Sequence, residues 1–351
     1  MANQSDSDTQ ITNQPKQSDT PAVRVVVVNY NAGPHLKRCM ESLTQQSYSS
    51  FETVVIDNAS TDDSLENALP DDPRFKLIQL DENIGFAAAN NLGAQNSPAT
   101  WLATLNPDAV AEPNWLEALL DATRRYPDVA MFGSTQIDAM NPNKLDGSGD
   151  AYFAFGLAWR GNYGHPLSDL PEEGETFSPC AAAAFYKTTV FHAAGGFDER
   201  FFCYLEDVDL AFRLRLKGER CIQVKDAVVR HVGSAISIPK SDFVRFHSAR
   251  NNLWLFVKNM PGVLFWLLLP GHILLQVMWL MWAALRGHFG PVWRGFLAGF
   301  EALPAIWHER KTKPKLIRIN IIRLLTAMTF SPIKLLKKEN VTIKNTSFLR
   351  K

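Results

Sequence analysis

Residues 23–31 read VRVVVVNYN, a six-residue run that is apolar except for Arg24 and stops at the polar Asn29-Tyr30-Asn31. Such a short, nearly continuous apolar run fits a strand buried on both faces. Strands of that kind belong to parallel sheets covered by helices on both sides. The stretches that follow repeat the theme. A Gly33-Pro34 turn leads into a helix predicted to about Gln46, and a second strand is expected over 53–56, with a polar loop at 57–63. A third strand is expected over 75–80, an Ala- and Asn-rich helix over 85–95, and a fourth strand over 101–105 that Asn106-Pro107-Asp108 ends. Pro113 suits the first turn of a helix running to about Tyr126. Alternating strand–helix units of this kind predict an α/β fold with a mostly parallel sheet. The stretch from 147 to 250 is less regular: a Gly/aromatic segment at 147–164, a Gly195-Gly196 turn, a helix over 206–217 and a sheet-forming run at 220–224.

In an open parallel sheet, ligands bind beyond the carboxyl ends of the strands. Three such ends carry polar clusters here: Asn29-Tyr30-Asn31, Asp57-Asn58-Ala59-Ser60 and Asn106-Pro107-Asp108. Any one of them serves equally well as a cap or turn, but three on one sheet edge point to a site. No G-x-x-x-x-G-K-[ST] loop is present, and no G-x-G-x-x-G follows the first strand. That weighs against a nicotinamide-dependent oxidoreductase. A nucleotide bound without a glycine-rich loop needs its diphosphate neutralised in another way, for which a divalent metal is suited, and Asp108 is a hard ligand in position for one.

The densest local signal is FFCYLEDVDL at 201–210, with three carboxylates in four residues opening a helix. Acidic residues favour a helix N-terminus for purely electrostatic reasons. The aromatic approach adds partial desolvation, which raises the basicity of a carboxylate and suits a general base. His231 ends a short apolar run and is either structural or a second protein ligand to the metal. Arg245, Arg250 and Asn251 precede a long apolar segment, and arginine suits phosphate oxygens.

In order along the chain, VVVVNYN (25–31), VIDNASTD (55–62), NIGFAAANN (83–91), NPD (106–108), GGFDERFFCYLEDVDLAFRLRLKG (195–218), HVGS (231–234) and SARNN (248–252) resemble the family 2 inverting glycosyltransferases over roughly residues 22–255. The NPD variant and the apolar appendage look like the rhamnosyltransferase-like branch. The resemblance implies a GT-A (Rossmann-like) fold and, residue by residue, a set of roles. Asp57 would bind the nucleoside base near Asn29. Asn58, Asn83, Gly85, Asn90 and Asn106 would line the donor pocket, and Arg250 would approach the diphosphate. Asp108 and His231 would hold Mn2+ or Mg2+. Asp207 would be the catalytic base, with Glu206 beside it shaping the acceptor site. The implied partners are a nucleotide-diphosphate sugar donor, with dTDP-rhamnose favoured, and a lipid-linked or cell-envelope glycan acceptor. Alternatives are UDP-galactofuranose, UDP-glucose or UDP-N-acetylglucosamine as donor, or a non-catalytic glycan-assembly scaffold. Two positions depart from the family pattern: Asn106, where many relatives carry Asp, and Pro179-Cys180-Ala181-Ala182 in the acceptor loop.

The whole chain of 351 residues has a net charge of zero, unevenly distributed. Residues 286–351 hold 14 Lys/Arg against 3 Asp/Glu, so an acidic body carries a basic tail. Residues 259–285 carry no formal charge and exceed the roughly 20 residues that span a bilayer. Pro270-Gly271-His272 is expected to break or kink that segment. A single crossing would put the basic tail opposite the body, against the positive-inside tendency. A re-entrant or interfacial hairpin is therefore expected, holding the protein peripherally at the cytoplasmic face of the inner plasma membrane, with the tail on anionic lipids. Leu, Ile and Phe interleave the tail's basic residues, which suits a membrane surface rather than nucleic acid. The four cysteines show no metal-ligand spacing and read as reduced thiols. No signal peptide opens the chain. The expected divisions are a disordered leader (1–21), a glycosyltransferase domain (22–255, halves 22–126 and 127–255), an apolar helical segment (256–310) and a basic tail (311–351). No feature of the sequence addresses oligomeric state.

Overall fold

The computed structural model describes residues 20–233, 241–312 and 319–341. The expected leader, apart from residues 20 and 21, lies outside them, as do Ser234 of the HVGS motif and parts of the tail. The first half runs β1 (Val23–Asn29), α1 (His35–Thr44), β2 (Phe51–Asp57), β3 (Phe75–Gln79), α2 (Gly85–Ala94), β4 (Trp101–Leu105), β5 (Ala109–Ala111) and α3 (Trp115–Arg125). Pro113, expected inside the first turn of α3, instead stands one residue ahead of its Asn114 cap.

The valine run of β1 is buried on both faces because its side chains serve two layers. Val23, Val25 and Val27 pack with Leu36, Met40 and Leu43 of α1 and Trp115, Leu116 and Leu119 of α3. Val26 and Val28 pack on the opposite face with Val54, Ile56 and Ala89 of α2. Each valine fully removed from water contributes about 1.5–3 kcal/mol. Arg24, the polar interruption, is in register with Glu52 and pairs with it at 2.7 Å. Its guanidinium also reaches the Gly93 and Gln95 carbonyls, so the buried charge is satisfied. Gly93 lets α2 lie close to the sheet, since a Cβ there would sit 2.5 Å from Val26 Cγ1.

The second half continues with β6 (Met131–Asp138), β7 (Leu145–Ser148), β8 (Asp150–Phe153), β9 (Leu157–Arg160), β10 (Gly174–Thr176), β11 (Ala183–Lys187), α4 (Thr188–Ala193), α5 (Glu206–Leu216) and β12 (Cys221–His231). The main sheet runs β10-β12-β6-β11-β4-β1-β2-β3, with β5 on β12 and β7 on β6. Strands β4, β1, β2 and β3 are mutually parallel, as is β12 with β6, while β11 is antiparallel to both neighbours. The sheet is thus mixed but mostly parallel, with helices on both faces. Strands β8 and β9 form a separate hairpin in which Asp150 faces Arg160 in register.

The chain ends in α6 (Asp242–Asn259), α7 (Gly262–Leu285), α8 (Phe289–Thr312), α9 (Ile321–Ala327) and α10 (Pro332–Lys337). The expected break at Pro270 does not occur: α7 is continuous through it, and the turn falls at Arg286–His288, where Gly287 has φ +74°. The Pro-Gly-His step is a docking point instead. Gly271 leaves room for the Phe155 ring, which a Cβ would approach to 2.3 Å. The His272 ring stacks on Phe256 at 4.0 Å, and its Nδ1 lies 2.8 Å from the Phe155 carbonyl. These contacts hold the tip of the β8–β9 hairpin and offset the hydrogen bond that proline removes. Helix α8 packs along α6, where a Cβ on Gly295 would sit 2.4 Å from the Phe246 carbonyl. The expected boundary at 255/256 falls within α6, and one apolar cluster joins residues of β8, α5, α6, α7 and α9.

Candidate active site

Beyond the carboxyl ends of β1, β2 and β4 lies a cavity of about 1120 Å³. On its donor side, Asn29 is in register with Asp57 and donates to its Oδ1 at 2.8 Å and to Ser64 Oγ at 2.8 Å. Asn58 donates to Asn83 Oδ1 at 2.8 Å and accepts from the Ile84 N–H, which ties β2 to the start of α2. Asn58, Asn83 and Asn106 line the cavity, while Asn29, Asp57, Gly85 and Asn90 do not. Gly85 has φ +87°, and a Cβ there would sit 2.5 Å from the Phe202 ring, so α2 meets the catalytic loop at this glycine. Asn90 is buried and donates to the Phe86 carbonyl.

β12 brings His231 against Asp108, Nε2 to Oδ1 at 3.2 Å, although 123 positions separate them in the sequence. The other ring nitrogen, Nδ1, lies 2.7 Å from Asp146 Oδ2, and Asn106 Nδ2 lies 3.1 Å from Nε2. Burial disfavours the imidazolium, but the Asp108 and Asp146 carboxylates outweigh it and raise the His231 pKa to about 9. Asp146 also pairs with the Arg160 guanidinium. Once a cation displaces the Nε2 proton, a carboxylate oxygen beside an imidazole nitrogen whose far nitrogen is tied to a second carboxylate is a donor set that fits a divalent ion such as Mn2+.

Across the cavity, Glu206 and Asp207 open α5. Three non-glycine residues just before it take positive φ: Phe202 (63°), Tyr204 (72°) and Leu205 (69°). Backbone of this kind persists only where its surroundings over-determine it. Asn251 does so, because its Nδ2 donates to the carbonyls of Phe201 (3.0 Å), Cys203 (2.9 Å) and Tyr204 (2.8 Å). Arg250 reaches the Phe201 carbonyl at 2.8 Å, lies over the Trp254 ring and does not line the cavity. In this structure SARNN therefore braces the loop that precedes α5, and the guanidinium expected at the diphosphate faces the backbone.

Asp207 is held by two backbone amides, Ala181 N–H to Oδ2 and Val208 N–H to Oδ1, each at 2.8 Å. The Pro179-Cys180-Ala181-Ala182 departure thus supplies an anchor for the base candidate. Burial raises the Asp207 pKa against those hydrogen bonds. Glu206 is raised well above its ordinary range by burial and the Asp207 charge, and its Oε2 is buried without a hydrogen-bond partner. Asp150 is raised well above its range for the same two reasons. Donor atoms of Asp150, Cys180 and Asp207 lie within 4.8 Å of one another. Burial pushes the Cys180 thiol up, so it stays protonated and is a poor ligand for a hard ion. Asp146, Asp150 and Arg160 are the site residues that sequence reasoning missed. The available signal was the hairpin around Gly156, which brings Asp150 and Arg160 opposite each other.

Residues 24–194 match the family model for Glycosyl transferase family 2. The chain is 30% identical over 241 residues to N-acetylglucosaminyl-diphospho-decaprenol L-rhamnosyltransferase of Mycobacterium tuberculosis, covering 60% of this chain and 76% of that one. It is 29% identical over 262 residues to the O-antigen biosynthesis protein RfbC of Myxococcus xanthus, covering 69% of this chain but 20% of that one. Among solved structures, GalNAc-T7 with UDP, GalNAc and Mn2+ superposes with a TM-score of 0.53 at 16% identity, over 69% of this chain and 48% of that one, a likeness of fold. The chain belongs to glycosyl transferase family 2 and is a glycosyltransferase of GT-A fold.

Proposed function

We propose that the protein transfers rhamnose, with inversion, from dTDP-rhamnose to a lipid-linked cell-envelope glycan. The observation that carries this reading is one cavity lined by Asp207, Asn106 and the apolar helix α7, with the Asp108–His231 pair reached through Asn106, whose Nδ2 lies 3.1 Å from His231 Nε2. Similarity to a rhamnosyltransferase whose name specifies a decaprenol-diphosphate acceptor supports the choice of donor and acceptor. We further propose that the α6–α8 appendage associates with the cytoplasmic face of the membrane. Helix α7 is long and apolar enough to cross a bilayer, and Trp266, Leu267 and Leu285 on it are exposed.

In this mechanism Asp207 accepts the proton of an acceptor hydroxyl as that oxygen attacks the anomeric carbon. The new glycosidic bond forms as the bond from that carbon to the diphosphate breaks, and no covalent enzyme intermediate is needed. The two amides on Asp207 orient its carboxylate, while Glu206 and Asp150 offer further carboxyl groups to the acceptor. Asp108 and His231 would hold a divalent cation, which supplies charge neutralisation for the departing nucleotide diphosphate. Asp146 would fix the His231 tautomer so that Nε2 faces that ion.

The test measures nucleotide diphosphate release from dTDP-rhamnose, UDP-galactofuranose, UDP-glucose and UDP-N-acetylglucosamine. It uses detergent-solubilised protein, a polyprenyl-diphosphate-sugar acceptor, and added Mn2+, Mg2+ or EDTA. Turnover of dTDP-rhamnose alone, lost in EDTA and reduced about 10²- to 10⁴-fold in Asp207→Asn with donor binding intact, is the expected result. Preference for another donor would replace the sugar. Absence of both turnover and donor binding would favour a scaffold.

A further inference from the structure

The cavity does not end at the carboxylates. Asp207, Glu206 and Asp150 form one part of its wall, and Leu275, Met278, Trp279 and Trp282 of α7 with Leu335 and Leu336 of α10 form another. A cavity built only for a nucleotide sugar and a free sugar has no use for an extended aliphatic and indole wall. Its presence there leaves apolar surface wetted beside the most polar part of the molecule.

Resting on the lipid-linked acceptor reading, we propose that this wall is the seat of the acceptor's hydrocarbon chain, a portal from the bilayer to the catalytic carboxylates. Three observations carry the assignment. First, the wall is continuous with the exposed face of α7, where Leu274 and Met281 are 60% and 61% exposed, so a chain anchored in a bilayer can enter without crossing polar surface. Second, the same short helix that supplies Leu335 and Leu336 carries Lys334 and Lys337, outside the cavity lining and with Glu339 3.8 Å from Lys337, which leaves net positive charge on the helix at the portal rim. A diphosphate linking lipid to sugar requires that combination, and a neutral lipid does not. Third, the β8–β9 hairpin, which carries Asp150, is docked on α7 through Phe155 and Gly271. The portal wall and the catalytic acids are therefore one mechanical unit. Each methylene that leaves water adds to affinity, so a few isoprene-sized contacts suffice to select a long-chain acceptor.

The experiment compares two acceptors of the same diphosphate-sugar head group on the full-length protein in detergent, one on a long polyprenyl chain and one on a short, water-soluble alkyl chain. Met278→Gln and Leu336→Gln alter the portal from two different helices. Leu267→Gln alters α7 where it is 70% exposed and does not line the cavity. The portal variants are expected to raise KM for the long-chain acceptor about tenfold. Their kcat, their KM for the short-chain acceptor and their donor affinity should stay unchanged, and Leu267→Gln should alter none of these. Unchanged long-chain KM in both portal variants, or long- and short-chain KM moving together, would overturn the portal. Wild-type turnover of a free-sugar acceptor with neither lipid-linked compound used would overturn the lipid-acceptor reading beneath it.

Discussion

The donor half and the acceptor side of this molecule hold their functional residues in opposite ways. In the donor half, Asn29, Asp57 and Asn106 stand at the ends of neighbouring strands, so the sheet's own hydrogen bonds position them. On the acceptor side, Asp207 follows a backbone with three left-handed residues, and distant side chains hold it in place. Asn251 clamps the loop. At the base of α5, Asp209 is fully buried and bound by Lys258 (2.8 Å), Arg213 (2.7 Å) and Asn259 (2.7 Å). Regular structure makes a durable platform for the proposed donor site. The reactive carboxylates depend on long-range polar contacts that a single substitution can remove.

The largest expected effect comes from cutting one of those contacts. Lys258 pairs with both Asp198 and Asp209. Lys258→Met leaves the fully buried Asp209 with only part of its compensation, and breaking a buried pair costs about 3–5 kcal/mol. Thermal unfolding should show a large fall in Tm together with loss of transfer. A Tm within a degree of wild type would mean that the acceptor side does not depend on this network.

A smaller effect is expected where the two regions meet. Asp146→Asn removes the carboxylate behind His231, and losing such a partner typically weakens metal affinity about 10- to 100-fold. Mn2+ binding followed by electron paramagnetic resonance or calorimetry measures it directly. Unchanged affinity would reduce Asp146 to a partner of Arg160 alone.

The smallest effect is on pH dependence. Burial and the Asp207 charge raise the Asp150 pKa well above its model-compound value of 3.8. A raised folded-state pKa gives stability that is fully present below the unfolded value and is lost as pH rises through the folded one. Asp150→Asn should therefore gain on wild type as pH rises above the ordinary carboxylate range near about 4. A gain of about 2–4 °C in Tm corresponds to 1 kcal/mol in a domain of 150–250 residues. Parallel Tm–pH curves for the two proteins would show that Asp150 does not carry this charge burden.

The same contrast explains what the sequence revealed. The first half was legible because its information is local: successive valines serve two layers, β1 and β2 end in Asn29 and Asp57, and Asn106 follows β4. The Glu206-Asp207 pair was legible as a dense acidic cluster, and Asp108 with His231 through the family resemblance. Asp146, Asp150 and Arg160 were not, because their meaning comes from strand pairing and from a histidine 85 positions away. No break forms at Pro270 because the Phe155 turn, distant in sequence, docks on Gly271 and His272 there. Arg250 was expected at a phosphate by residue type, whereas its guanidinium is occupied by the Phe201 carbonyl.

The clamp on the catalytic loop has a consequence for how the protein can be shortened. The matched family segment ends at residue 194, and the last strand of the sheet ends at His231. A truncation chosen at either point to avoid the apolar helices would discard Asn251, Lys258 and Asn259. Ending at 231, it would retain every strand and every donor-side residue, along with Asp207, yet release the loop that aims that carboxylate. A fragment that keeps this loop braced must therefore extend at least to Asn259.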